Sequence, residues 1–87
     1  MPKTLVVSTF DCPFSEFEAM VKKVDKEQGY LFCSELEIIK VSEQKAMILM
    51  NCSDLEKFGS MLKQPELKQW DIENNCADTV YNLELVV

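Results

Sequence analysis

The sequence contains no histidine and no arginine, and its 87 residues include only two glycines and three prolines. Without histidine, Ser–His–Asp and Cys–His nucleophile arrangements are excluded, together with the common zinc and non-haem iron sites and histidine-ligated haem. The isolated glycines, Gly29 and Gly59, form no phosphate-binding GxGxxG or GxxxxGK motif. We therefore expect no cofactor and no metal.

Basic charge is also scarce, because nine lysines stand against fifteen acidic residues and the net charge is −6. A nucleic-acid binder needs a basic stripe that neutralises phosphates, and the densest basic stretch, 22–26, is interrupted by Asp25. The same balance disfavours an anionic membrane surface. The longest apolar runs, 30–33 and 46–50, are far shorter than the roughly 20 residues that span a bilayer. We expect neither nucleic acid nor a membrane as partner.

The four cysteines show no CxxC spacing and are separated by 20, 18 and 23 residues, which fits no zinc ribbon or finger. The start of the chain, 1–7, has no long apolar segment of the secretion-signal type. We interpret the cysteines as reduced, mostly buried thiols of a cytoplasmic protein, with disulfides as the alternative. Cys12 is the candidate reactive thiol, because a helix N-terminus lowers a thiol's pKa; a capping or core role is the alternative.

Hydrophobic periodicity divides the chain into strands and helices in the order βαββαβ, with an extra short helix before the last strand. The length supports a single domain over residues 1–87. The predicted elements are a strand at 3–10, a helix from Pro13 to Gly29, strands at 30–41 and 46–51, a helix from 54, a short helix from Pro65 and a strand at 79–87.

Three local features are predicted within these elements. Ser53 and Glu56 form a capping-box pattern at the start of the second helix. Gly29 is expected to end the first helix in the left-handed conformation. The alternation of apolar and polar residues breaks at Ile38-Ile39, which predicts a bulge or a twist there.

This element order and right-handed crossovers predict an α+β, ferredoxin-like fold: a four-stranded antiparallel sheet of order 4-1-3-2 with both helices on one face. The central strands are apolar at consecutive positions, 5–7 and 46–50, so both faces of the sheet are apolar there. The uncovered patch would measure several hundred Å², and its burial contributes roughly 25 cal/mol per Å². We expect a homodimer through this open sheet face; cover by loops and tail is the alternative.

At this point the chain resembles the dimeric α+β barrel superfamily, which includes small quinol-type monooxygenases and stress-responsive barrel proteins. The resemblance spans 3–87 and rests on the element order and on the stretch 54–67 (DLEKFGSMLKQPEL), which is similar to the second helix, proline break and short third helix of these folds. It implies two sheets facing each other across a dimer, with a substrate between sheet and helices in some members. The Asn, Trp and His of the monooxygenase branch are not matched here, so no catalytic residue carries over.

The candidate ligand-binding residues are polar or amphipathic groups beside apolar ones. If Leu36, Ile38, Tyr81, Leu83 and Leu85 face the helices, the residues between them face the dimer barrel, where a desolvated carboxylate has a raised pKa and acts as acid or base. The set is Glu35, Glu37, Asn82 and Glu84 on the edge strands, with Trp70 and Tyr30 as aromatic groups with polar handles, of which Trp70 could line a pocket mouth. Solvated edge residues and plain core aromatics are the alternatives.

Three functions stay open at the level of the sequence. The first is a homodimeric protein that binds a small apolar molecule or has a non-catalytic role. The second is a cofactor-independent enzyme of the monooxygenase or isomerase kind. The third is a protein-interaction adaptor that uses its acidic, lysine-bearing helical face. The absence of any conventional catalytic set favours the first.

Overall fold

A computed structural model describes residues 3–87 and contains four strands and three α-helices in these residues. The elements are β1 (Lys3–Thr9), α1 (Phe14–Glu27), a 3₁₀ turn (Gly29–Leu31), β2 (Cys33–Ser42), β3 (Lys45–Cys52), α2 (Leu55–Leu62), α3 (Pro65–Glu73) and β4 (Ala77–Leu83). No helix within 3–87 is long and apolar enough to cross a membrane.

The strands form one antiparallel sheet of order β2-β3-β1-β4. This is the predicted order 4-1-3-2 read from the other edge, so the predicted ferredoxin-like α+β fold is confirmed. The apolar strands β1 and β3 are central because each can be hydrogen-bonded on both sides there, away from water.

The core lies between the sheet and the helices. Val6 on β1 pairs with Ile48 on β3, and both side chains face the helices and are buried. Phe17 of α1 fills the centre of this layer, and its ring stacks on Phe10 with a centroid distance of 4.3 Å. Phe58 of α2 completes the buried cluster from the other helix. We call this side of the sheet the helix face.

The opposite side, which we call the open face, is also apolar. Leu5 lies opposite Leu49 on β3 and Tyr81 on β4, and Val7 lies opposite Met47. These side chains alternate with those of the helix face, because successive residues of a strand point to opposite sides. No part of residues 3–87 forms a second layer over the open face. The predicted second apolar surface is therefore present.

The N-cap of α2 is Asp54, and the predicted Ser53 cap is wrong. The Asp54 carboxylate accepts a hydrogen bond from the Lys57 backbone N–H at 3.0 Å. Ser53 is hydrogen-bonded to the residue that precedes β2. Its backbone N–H and its hydroxyl both donate to the carbonyl of Phe32, at 2.8 and 3.1 Å. A residue bound to the sheet in this way is not free to cap the helix.

The chain between α1 and β2 also differs from the prediction. Helix α1 ends at Glu27 with Gln28 as its C-cap, and Gly29 opens the 3₁₀ turn without a positive φ, so the predicted left-handed cap is wrong. Because that turn occupies residues 29–31, β2 begins at Cys33 rather than at Tyr30.

The pairing of β2 with β3 shifts at two places, at Glu35 and between Lys40 and Ser42, and neither lies at Ile38-Ile39. Pairing jumps from Ser34–Asn51 to Glu37–Leu49, so two residues of β2 oppose one residue of β3. Glu35 has a φ of 53°, which is unusual for a residue other than glycine. The extra residue keeps both Leu36 and Ile38 on the helix face.

The last strand is displaced from its predicted bounds. Strand β4 spans Ala77–Leu83, two residues earlier than predicted at its start, and it ends before Glu84. Leu85, Val86 and Val87 follow it and are exposed. The predicted turn at Asn74-Asn75 is found, with Asn75 in the left-handed conformation at φ 49°.

Candidate functional site

An apolar cavity of about 70 Å³ lies inside the subunit between the helix face and the helices. Val6 and Ile48 form its floor, and Phe17 contributes from α1. Three methionines also line the cavity: Met20, Met50 and Met61. Methionine side chains are flexible and polarisable, so this wall can adapt to different shapes.

One end of the cavity is polar. Ser8 on β1 is directly opposite Asp78 on β4, and the Ser8 hydroxyl donates to the Asp78 carboxylate at 2.5 Å. Ser8 is only 1% exposed because it lies on the helix face of a central strand. A hydroxyl buried there needs a partner, and the strand register supplies it.

Asp71 and Cys76 complete this end from α3 and the turn after it. The Cys76 backbone N–H donates to the Asp71 carbonyl at 2.8 Å, and the Cys76 thiol lies 3.6 Å from the Asp78 carboxylate. The Asn74 side-chain amide donates to the carbonyl of Trp70 at 3.0 Å and thereby fixes the turn. We call Ser8, Asp71, Cys76 and Asp78 the polar end.

The polar end contains two acidic groups with raised pKa values. Burial, and then the nearby Asp78 carboxylate, raise the pKa of Asp71. Burial, and then the two carboxylates, raise the pKa of the Cys76 thiol. A carboxyl group with a raised pKa is a stronger base than an ordinary aspartate, so Asp71 is the candidate proton acceptor at this end of the cavity.

The same residues form the one set within 3–87 whose ligand atoms are close enough to share a cation: Asp71, Cys76 and Asp78, all within 4.8 Å of one another. A soft metal would need the Cys76 thiolate, and the pKa of this thiol is raised. The Asp78 carboxylate also already accepts from Ser8. We therefore interpret the set as a hydrogen-bonded network and assign no metal to it.

The four polar residues predicted on the edge strands do not form one cluster. Glu35 and Glu37 lie on the open face, where Glu35 accepts from the Asn51 amide at 2.5 Å and is 3.4 Å from the Lys3 ammonium group. Asn82 pairs with Thr4 and therefore shares the helix-side register. The predicted cluster does not form because Tyr81 and Leu83 face the open side, whereas the prediction required them to face the helices. Glu84 lies beyond β4 and is exposed.

The aromatic candidates lie outside the cavity wall. Trp70 packs on Phe17 with a ring-centroid distance of 6.2 Å, so it contacts a residue of the cavity wall without lining the cavity itself. Tyr30 lies on the 3₁₀ turn and is 61% exposed. Cys12 is buried, and burial together with Glu16 raises its pKa, so the lowering predicted from the helix dipole is wrong. Pro13, not Cys12, occupies the N-cap position of α1.

The sequence reasoning missed Ser8, Asp71 and Asp78. One signal was available, because Ser8 is a polar residue two positions after Val6 in an apolar central strand and so shares its buried face. A polar side chain at such a position requires a partner. Asp71 and Asp78 carried no comparable signal, since their proximity depends on the turn after α3 and on the register of β4.

The fold is of the ferredoxin-like α+β class. Similar solved structures are SnoaB, a cofactor-independent oxygenase from Streptomyces nogalater (TM-score 0.64, 10% identity, covering 99% of this chain and 95% of that one), and Rv0793 from Mycobacterium tuberculosis (TM-score 0.58, 10% identity, 100% of both chains). SO0527 from Shewanella oneidensis is also similar (TM-score 0.51, 12% identity, 93% of this chain and 90% of that one). No protein-family model and no curated protein matches the sequence. At these identities the likeness shows a shared fold.

Proposed function

We propose that the protein is a homodimer and that each subunit binds a small, mainly apolar molecule with one polar group in the internal cavity. The observation that carries this proposal is the composition of the cavity: a mainly apolar wall with a polar end at Ser8, Asp71 and Asp78, and one further acidic residue, Asp25, in the lining. Small-molecule sites typically combine such a wall with a few polar groups that fix the orientation of the ligand.

The chemistry of the polar end favours an uncharged ligand that carries a hydroxyl group. Asp71 and Asp78 supply acceptor oxygens, and a ligand hydroxyl can donate to them. A ligand carboxylate or phosphate would meet two carboxyl groups and a protein of net charge −6. A phenol or naphthol fits this chemistry, because its ring is apolar and its hydroxyl is a donor.

The cavity must expand to accept such a ligand. Its 70 Å³ corresponds to about two water molecules at roughly 30 Å³ each. An aromatic ring needs more space, which Met20, Met50 and Met61 can provide by changing rotamer. We expect binding to shift these three side chains more than the backbone of the sheet.

The open face supports the homodimer. Leu5, Leu49 and Tyr81 form a row across three strands with no covering layer within residues 3–87. An isologous contact between two such faces buries apolar area at roughly 25 cal/mol per Å². We include a cytoplasmic location in the proposal, because all four thiols are free and the charge is strongly acidic.

The protein's own methionines test the ligand site. Protein labelled with ¹³C at the methionine methyl groups is titrated with 1-naphthol, and the methyl resonances are followed by NMR. We expect the signals of Met20, Met50 and Met61 to shift together, while Met47, on the opposite face of the sheet, stays in place. Shifts at Met47 alone would place the probe on the open face and refute the cavity site.

A cavity-filling variant provides the matched control. Val24→Phe adds a ring to the cavity wall and should abolish the shifts caused by 1-naphthol. Val86→Phe makes the same replacement in the exposed segment after β4 and should leave them unchanged. The unshifted Met47 resonance reports whether each variant is folded. Equal binding by both variants would contradict the proposal.

A cofactor-independent enzyme is the second candidate, and the raised pKa of Asp71 beside the cavity favours it. A basic carboxylate that takes the hydroxyl proton of a hydroquinone makes the ring electron-rich towards dioxygen. SnoaB, which shares the fold, is described as a cofactor-independent oxygenase. Oxygen uptake with 1,4-naphthohydroquinone that is lost in Asp71→Asn would support catalysis. Binding without uptake above the buffer rate would leave the ligand-binding function alone.

A further inference from the structure

Two cysteines face each other across the β2–β3 ladder. Cys33 and Cys52 are direct pairing partners in neighbouring antiparallel strands. The Ser53 backbone N–H donates to the Phe32 carbonyl at 2.8 Å, just outside this pair. Hydrogen bonds that flank a pair in this way identify it as the non-hydrogen-bonded, closely spaced type, with Cα atoms about 4.5 Å apart. That spacing lies within the range of roughly 4.4–6.8 Å that a disulfide spans.

The two thiols differ in accessibility. Both border a shallow depression beside Tyr30 and Ser53, but Cys33 is only 7% exposed and also lines the cavity, whereas Cys52 is half-buried. Burial and the adjacent Cys52 raise the pKa of Cys33 to about 12. An oxidant that enters from solvent therefore meets Cys52 first, and Cys33 is placed to react second.

We propose that Cys33 and Cys52 form a reversible cross-strand disulfide when the protein meets a low-molecular-weight disulfide such as glutathione disulfide. The Cys52 thiolate attacks one sulfur of the reagent, forms a mixed disulfide and releases one glutathione thiolate. Cys33 then attacks the Cys52 sulfur, the mixed disulfide breaks, and the second glutathione thiolate leaves. The two protons lost by the cysteines go to the two glutathione thiolates.

The other two cysteines are placed for different roles. Cys12 is buried after β1, and the Cys76 thiol is directed at the Asp78 carboxylate. Neither is the strand partner of another cysteine. Oxidation should therefore give one disulfide and leave two free thiols.

The disulfide would tie the start of β2 to the end of β3, immediately before the bulge at Glu35. It would close a loop containing 18 residues, which restricts the unfolded chain. Because Cys33 lines the cavity, oxidation would also move one wall group towards Cys52. The thiol redox state thus acts on the same internal space whether or not a ligand occupies it.

Peptide mapping of the oxidised protein tests the pairing directly. The full chain is equilibrated with glutathione disulfide, alkylated with N-ethylmaleimide, digested without reductant and analysed by mass spectrometry. We expect one linked peptide joining Cys33 to Cys52, with Cys12 and Cys76 alkylated. We also expect the Tm to rise by roughly 10 °C and to return after dithiothreitol.

Two serine variants of half-buried thiols form a matched pair. Cys76→Ser should keep both the linked peptide and the rise in Tm, and Cys52→Ser should lose both. A link to Cys12 or Cys76, a lasting glutathione adduct on Cys52 with Cys33 still reduced, or no reaction at all would each overturn the proposal. The peptide map of the unmodified chain decides the question even if a variant folds poorly.

Discussion

The helix face and the open face of this sheet are built from the same two central strands, yet they meet different surroundings. Val6 and Ile48 on the helix face are 3% and 7% exposed. On the open face of the same strands, Leu5 and Leu49 are half-buried, and on the edge strand β4 Tyr81 and Leu83 are 50% and 38% exposed. The side chains are comparably apolar, so the contrast comes from the helices, which the chain supplies for one face only.

The polar residues of the two faces differ in the same way. Ser8 and Thr4 are almost fully buried on the helix face, and Ser8 is hydrogen-bonded to Asp78 beside the cavity. On the open face, Lys3 and Glu35 form an exposed ion pair at one end of the strands. We propose ligand binding at the helix face and assembly at the open face, and paired substitutions can test each proposal.

The largest effect is expected from Phe17→Ala on the helix face. Phe17 is fully buried and contacts both Phe10 and Trp70, so its truncation should lower the free energy of unfolding by about 3–5 kcal/mol. Ile39→Ala on the open face should cost less than about 1 kcal/mol in dilute protein, since Ile39 is already partly exposed. Urea denaturation measures both. Similar costs would remove the distinction between the faces.

A charge on the open face should act on assembly instead of on folding. In Leu5→Glu, a carboxylate would lie between Leu49 and Tyr81 in the proposed dimer interface. We expect the Kd of the dimer to rise about 100-fold, which corresponds to about 2.8 kcal/mol. Sedimentation velocity over a concentration series measures this change.

The control for that variant adds the same charge elsewhere. Gln69→Glu lies on an exposed position of α3 and should leave the Kd unchanged. Circular dichroism checks that both variants are folded. If the unmodified chain sediments as a monomer at micromolar concentration, the assignment of the open face to assembly fails.

A smaller effect is expected at the polar end. Ser8→Ala removes the donor to Asp78 and should cost about 1 kcal/mol of unfolding free energy, because the hydrogen bond is lost but water can solvate the exposed Asp78 carboxylate. The adjacent Thr9 is exposed, and Thr9→Ala should change stability by less than about 0.5 kcal/mol. Thermal denaturation of these two variants separates the contribution of the Ser8–Asp78 hydrogen bond from the general effect of removing a hydroxyl group. Equal shifts would show that the bond contributes nothing specific.

The fold could be predicted from the sequence because its signals are local and repeated. The apolar stripe of α1, Pro65 at the first position of α3 and the doubly apolar strands β1 and β3 each indicate the same architecture. Only a few compact arrangements satisfy that order and right-handed crossovers. Errors arose where two local signals compete, as at Ser53, whose bonds to Phe32 leave the cap to Asp54.

The site was less predictable because it depends on register. A shift of one residue in a strand exchanges its two faces, and the alternation Tyr81–Leu83 was assigned to the wrong side of β4. With β4 reversed, Asn82 and Glu84 are predicted on the same face as Glu35, and Asp78 is not predicted to lie on the face of Ser8, its hydrogen-bond partner. The side chains of the site come from β1, β4 and α3, so they are not related by any regular spacing in the sequence.

The smallest expected effect concerns the charge of Asp71. Burial and Asp78 raise its pKa, so the folded protein holds this proton more tightly than the unfolded chain does. The stability contributed by the protonated group is therefore present at low pH and is lost as the pH rises from the unfolded pKa, about 3.9, through the raised folded pKa. At pH 7 the ionised carboxylate destabilises the folded state.

Asp71→Asn removes this destabilisation. We expect the variant to be more stable than the unmodified protein at pH 7, by less than about 1 kcal/mol because solvent screens a partly exposed group. The difference should shrink as the pH falls below the unfolded pKa of about 3.9, where the carboxyl becomes protonated in both states. Chemical denaturation at a series of pH values measures it, and Glu84→Gln, on an exposed residue beyond β4, controls for net charge. A difference that grows on acidification would mean that Asp71 is stabilised as the carboxylate, and the polar end would then be better suited to holding a cationic group than a hydroxyl.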